Sequence, residues 1–214
     1  MKPRLVVGAC AVVTVVTAFP VAAQVAQVTL TTRVRDQVIA TEKADATADT
    51  LLTGIAIDAG GVSARIRTRT EFRTGRVAAY EMEASVPTGE QRVRIDVGDT
   101  TAAVTYDIGG TRGEQTLALV AGRPVLVYQN LAFAMLARQV LALAPPAPSD
   151  TTPVPVQVVV VDVLRVQQWT VQRTGAGSVA LVADTGLRLE FEGTDTAFRA
   201  MRVPSQSLVV TPDR

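Results

Sequence analysis

Beyond residue 23 the chain contains no cysteine and no histidine. The first absence excludes disulfides and thiol nucleophiles. The second removes the commonest general base near neutral pH, and the two together leave no standard zinc ligand set. Lysine is almost as scarce: past residue 23 only Lys43 remains, and every other basic residue there is arginine. We read that bias as genomic base composition. Eight aromatic residues remain after residue 23, so a curved sheet has little bulk with which to fill its interior. Neither charge sign dominates. Without residues 1–23 the chain has 191 residues, 19 basic and 20 acidic. No clustered positive field results, and nucleic acid is not an expected partner. After the first 23 residues no apolar stretch approaches the ~20 residues a membrane-spanning helix needs. The nearest, Leu131 to Leu143, is interrupted by Arg138 and Gln139, so an integral membrane protein is not expected.

The first 23 residues differ in kind. Lys2 and Arg4 precede the apolar run Leu5 to Phe19, and Val21-Ala22-Ala23 offers small residues before a cut ahead of Gln24. This order of charge, apolar core and small residues is that of a secretory signal peptide. It predicts export to the periplasm or the extracellular space. Val7-Gly8-Ala9-Cys10 loosely imitates a lipoprotein cleavage box, but lipidation of Cys10 would leave an apolar region of only Leu5 to Ala9. Such regions usually run roughly 7–15 residues. The expectation is therefore cleavage after Ala23, leaving 24–214 as a single β-rich domain.

Alternation with a period of two dominates that domain. Val28, Leu30 and Val34 oppose Thr29, Thr31, Arg33 and Arg35; Ala64 and Ile66 oppose Arg65 and Arg67. Tyr80, Met82 and Ala84 oppose Glu81 and Glu83, and Val93, Ile95 and Val97 oppose Arg92, Arg94 and Asp96. Each set suits a sheet with one buried face and one wet face. Gly60-Gly61, Thr74-Gly75, Thr88-Gly89 and Gly109-Gly110 separate the runs at hairpin spacing. An antiparallel meander follows for this half, since a parallel pair needs a crossover helix.

Near residue 130 the period changes. Asn130 is placed as an N-cap, and Leu131 to Leu143, free of Gly and Pro, predicts a helix buried against the concave sheet face. A proline-rich loop at about 144–155 ends it, and strands resume from Val156. The fold class expected is mainly β: a curved antiparallel meander or half-barrel with one central buried helix.

The hairpin around Phe72 to Tyr80, the entry Tyr128-Gln129-Asn130-Leu131-Ala132-Phe133-Ala134 and the close Met201-Arg202-Val203-Pro204 carry a resemblance. In layout the chain resembles exported bacterial families of unknown function in the lipoprotein-carrier-like superfamily. The resemblance implies a curved sheet and helix enclosing an apolar cavity for acyl chains, and it implies no particular functional residue, because fold does not fix function.

Two sets of side chains are candidates for binding. Tyr80, Met82, Tyr106, Leu131 and Met135 would line an apolar space between sheet and helix, with Ala132, Ala134, Ala137 and Ala142 leaving room. Arg65, Arg67 and Arg69 form a stripe able to hold anionic groups through bidentate contacts, or to pair with Glu81 and Glu83 on the next strand. Glu81 with Glu83, and Glu190 with Glu192, are carboxylate pairs at glycosidase-like spacing, but a wet strand face accounts for both. Lys43, in the polar stretch Thr41 to Asp45, has no apolar pocket to activate it. Neither a metal nor a cofactor is expected. The favoured reading is an exported, non-enzymatic binding protein for a lipid or another amphipathic small ligand. The alternative is a structural module with a filled core that meets an envelope protein partner through its sheet face or edge.

Overall fold

The structure, a computed structural model, describes residues 26–145, 149–194 and 197–213. The expected leader at 1–23, Cys10 and the centre of the proline-rich loop lie outside them. Among the described residues no helix is long and apolar enough to cross a membrane.

Eight strands come first: β1 (Ala26–Val34), β2 (Gln37–Ala46), β3 (Thr50–Ala59), β4 (Val62–Arg73), β5 (Arg76–Val86), β6 (Gly89–Val97), β7 (Thr101–Ile108) and β8 (Thr111–Ala118). They form the antiparallel meander that the alternation predicts, each pairing with the next. β4 shows why: Ala64, Ile66, Thr68, Thr70 and Phe72 are buried while Arg65, Arg67 and Arg69 between them are exposed. Then follow β9 (Val125–Tyr128), the helix α1 (Phe133–Leu143), β10 (Val154–Val160), β11 (Arg165–Gly175), β12 (Ser178–Ala183), β13 (Arg188–Thr194), β14 (Ala197–Val203) and β15 (Leu208–Pro212). β15 returns to pair with β1, so among the described residues one sheet of fifteen strands runs from β8 through β1 and β15 to β9. It is mainly antiparallel and is not closed.

Three features depart from the sequence reading. β9 and β10 pair parallel, with α1 as their crossover, which the chain needs because a parallel connection cannot be a hairpin. The run Val156 to Val161 is apolar because both faces are buried: Val156, Val158 and Val160 enter one core cluster, and Val159 and Val161 the other. The curled sheet thus tucks its β9–β10 end between the two halves of the molecule. Finally, Asn130 is not the cap. The helix starts at Phe133, and no side chain of the residue before it closes the N-terminus.

α1 sits in the middle of this curl. Phe133, Leu136, Ala137, Val140 and Leu141 pack toward β11–β15, and Ala132 and Met135 toward β2–β8. Gln139, also buried, lies along the open edge of β9. Its Oε1 accepts from Val127 N–H at 2.9 Å and its Nε2 donates to the Val127 carbonyl at 3.1 Å. Gln157 on β10 treats the backbone of Val120 likewise, at 2.6 and 3.0 Å. Gln139 thereby does for the edge of β9 what a neighbouring strand would do, and Gln157 ties the segment just past β8 to β10.

Candidate functional site

Between α1 and the start of β1 lies a groove of about 690 Å³. Val28 and Leu30 of β1, Leu51 of β3, Ala137 and Leu141 of α1 and Phe198 of β14 line it. Helix residues facing it are otherwise small (Ala134 and Ala142), which is why space remains beside a helix that elsewhere packs tightly. Arg138 stands at the rim. Its Nη1 donates to the Thr47 carbonyl at 2.9 Å, its Nη2 donates to the Ala48 carbonyl, and its guanidinium lies 4.0 Å from the Phe72 ring centroid. Partial burial lowers its pKa from the usual arginine value, yet arginine stays cationic in proteins. The groove therefore joins apolar walls to one fixed cation.

A second constellation gathers at the N-terminus of α1. Alternation along β2 points Ala40, Glu42 and Ala44 inward, so a carboxyl enters the core. Glu42 Oε2 accepts from the N–H groups of Phe133 at 2.8 Å and Ala134 at 3.0 Å, satisfying two of the donors a helix start leaves open. Burial pushes its pKa up to about 8, against the lowering pull of those two N–H groups. Nearby, burial with the charges of Asp162 and Glu42 drives the Tyr80 phenol well above its ordinary value. Gln129 Nε2 donates to Asp162 Oδ1 at 3.0 Å. Glu42 Oε1, Thr70 Oγ1, Tyr80 Oη and Gln129 Oε1 are buried with no hydrogen-bond partner among the described residues. Chemically this is a helix cap that holds a proton, set among polar atoms with spare hydrogen-bonding capacity.

The outer face of β2–β8 is the third place. There Arg94 pairs with Glu81 and with Asp96 at 2.7 Å, Arg92 with Glu83 at 3.7 Å, Arg112 with Asp107 at 2.8 Å, and Arg69 with Glu71 at 2.9 Å. A shallow groove of about 920 Å³ runs across it, lined by Lys43, Gly54, Arg67, Arg69, Glu81 and Arg94 among others.

Of the five residues expected to line an apolar space, Tyr80, Met82 and Met135 are buried in one core cluster, and Leu131 and Tyr106 lie at its border. None of the five lines the groove between α1 and β1. Tyr106 instead lies over Gly113 on β8, where a Cβ would collide with its hydroxyl. Of the arginine stripe, Arg69 is ion-paired and Arg65 and Arg67 remain exposed on the outer face. Glu190 and Glu192 also bind arginines, Arg188 at 2.8 Å and Arg202. Among the described residues no three His, Cys, Asp or Glu side chains converge as a metal site. Sequence reading missed Glu42 and the groove wall. The parity of Ala40, Glu42 and Ala44 was the available signal for the first.

No protein-family model matches the chain, and no curated protein matches it in sequence. Among solved structures it is similar to the crystal structure of a DUF1089 family protein from Pseudomonas aeruginosa. The TM-score is 0.54 at 10% identity, over 80% of this chain and 92% of that one. The likeness is one of fold. A β-barrel-like protein of domain of unknown function DUF1849 from Brucella abortus aligns over 87% of this chain and 94% of its own, at 12% identity and a TM-score of 0.49.

Proposed function

We propose that the protein is an exported, non-enzymatic bacterial binding protein that holds the apolar chain of an amphipathic ligand between α1 and the sheet. The observation that carries this is the groove of about 690 Å³ with Val28, Leu30, Leu51 and Phe198 on its walls and Arg138 at its rim. Its size falls within the ~300–1,000 Å³ of small-ligand pockets, and a mainly apolar lining with a few polar groups, Arg138 the charged one in that lining, follows their usual chemistry. An acyl chain would lie along Ala134, Ala137 and Leu141, and an acidic head group would meet the guanidinium. The resemblance in layout that the sequence bears to lipoprotein-carrier-like families supports the same reading, and the signal-peptide-like order of residues 1–23 supports the periplasm or the extracellular space as its place of action.

Fluorescence titration with cis-parinaric acid, displaced by palmitic acid or by hexadecanol, tests it. The expected result is saturable binding displaced by both, with Arg138→Gln weakening displacement by the acid at least several-fold and leaving the alcohol unchanged. Absence of binding, or equal loss for acid and alcohol in Arg138→Gln, would contradict the head-group assignment.

A further inference from the structure

We propose that the outer face of β2–β4 carries a second binding site, for a phosphate-bearing ligand, centred on Gly54 between Lys43 and Arg67. β3 presents Leu52, Gly54 and Ala56 outward, a row without charge. Lys43 on β2 is the register partner of Gly54, and on the other side Arg69, Arg67 and Arg65 of β4 oppose Leu52, Gly54 and Ala56. Strands lie about 4.8 Å apart, so the Cα atoms of Lys43 and Arg67 stand roughly 10 Å apart across bare backbone. Outward residues recur every ~7 Å along β4, which sets Arg65 one step from Arg67. The result is a low trough along β3 with cations on both walls.

Gly54 is the telling residue. Its φ is not in the left-handed region that favours glycine. A Cβ there would meet nothing within 4 Å. Glycine weakens a strand interior, and neither conformation nor packing requires it here; close approach of a ligand from outside does.

The charges point the same way. The carboxylates opposite β4, Glu83 and Glu81, are engaged by Arg92 and Arg94, and Arg69 by Glu71. Among the described residues Lys43, Arg65 and Arg67 enter no ion pair. Asp45 beside Leu52 and Asp58 beyond Ala56 bound the cationic stretch at its two ends. A phosphoryl group has oxygens enough to bridge the two walls, two of them to a guanidinium in bidentate fashion and another to the ammonium. A free phosphate compound and a phospholipid head group offer that same chemistry.

The purified protein is titrated calorimetrically with tripolyphosphate and, separately, sedimented with phosphatidylglycerol vesicles. Saturable binding of either probe is expected, weakened at least tenfold in Lys43→Gln, Arg67→Gln and Gly54→Val. Gly54→Val is expected to melt at or above the parent temperature, because valine suits an outward strand position better than glycine. Binding to vesicles alone assigns a membrane head group, and binding to tripolyphosphate alone a soluble phosphate. Arg202→Gln, which breaks an ion pair with Glu192 away from this groove, should leave affinity within twofold. Failure of both probes to bind, full affinity in Gly54→Val, or an equal loss in Arg202→Gln would overturn the site.

Discussion

Glu42 reaches from β2 into the first turn of α1, and its protonation links pH to stability. Its folded pKa of about 8 lies above the reference value of 4.5. Between those values the native state keeps a proton that the unfolded chain has released. The slope of unfolding free energy with pH is then negative. The stabilisation is fully present below about 4.5, declines as pH rises, and is lost above about 8. At about 1.4 kcal/mol per unit, the total change is on the order of a few kcal/mol. Glu42→Gln keeps a carbonyl acceptor for the N–H groups of Phe133 and Ala134 and cannot ionise. Urea denaturation from pH 4.5 to 8.5 should show the parent losing stability and Glu42→Gln staying nearly flat. The Tyr80 phenol, held well above its ordinary value by burial and by the charges of Asp162 and Glu42, does not titrate in that window. Parallel pH profiles for the two proteins would contradict the assignment.

Gln139 shows how one element completes another. Among the described residues no strand pairs with the outer edge of β9, and the amide of Gln139 meets both the N–H and the carbonyl of Val127. Gln139→Leu keeps the volume and strands both groups in a buried place, at a cost of roughly 2–4 kcal/mol. Chemical denaturation should find that loss, with α1 retained by circular dichroism. An effect below about 0.5 kcal/mol would mean that β9 does not depend on the helix. The same elements explain what could be read in the sequence. β4 to β7 were legible because one face is wet, so Arg65, Arg67, Glu81 and Arg94 mark every second position. β10 was legible as apolar but not as the inner end of the curl, since a strand buried on both faces loses its alternation. The pairing of β9 with β10 was hidden for the same reason. The helix start was misplaced because its cap comes from Glu42, 91 residues away in the chain from Phe133, whereas local reading looks only to neighbours such as Asn130. The apolar set at Tyr80, Met82 and Met135 was correctly turned inward, but the space beside the helix depended on small residues meeting β1 and β14. Those contacts are long-range, and no local pattern encodes them.

At the scale of the molecule, the described residues form a single sheet of fifteen strands that curls around one α-helix without closing. Its β9–β10 end is folded inward to divide the interior into two cores. A scaffold with few aromatics, small helix side chains and an open side retains a groove where a closed, filled barrel would have none. That groove, with its apolar walls and the cation of Arg138 at the rim, is the centre of the functional account. The charged outer face is physically separate from it, so ligand loss at one site should not follow from substitution at the other. Native mass spectrometry of the protein, expressed with residues 1–23 and purified from the envelope without detergent, decides whether the groove holds a lipid. A discrete additional mass that solvent extraction identifies as a lipid is expected. It should be absent in Ala134→Trp, which fills the groove from the half-exposed side of the helix while thermal unfolding stays cooperative. An unliganded mass in the parent protein, with no uptake of added fatty acid or phospholipid, would contradict it.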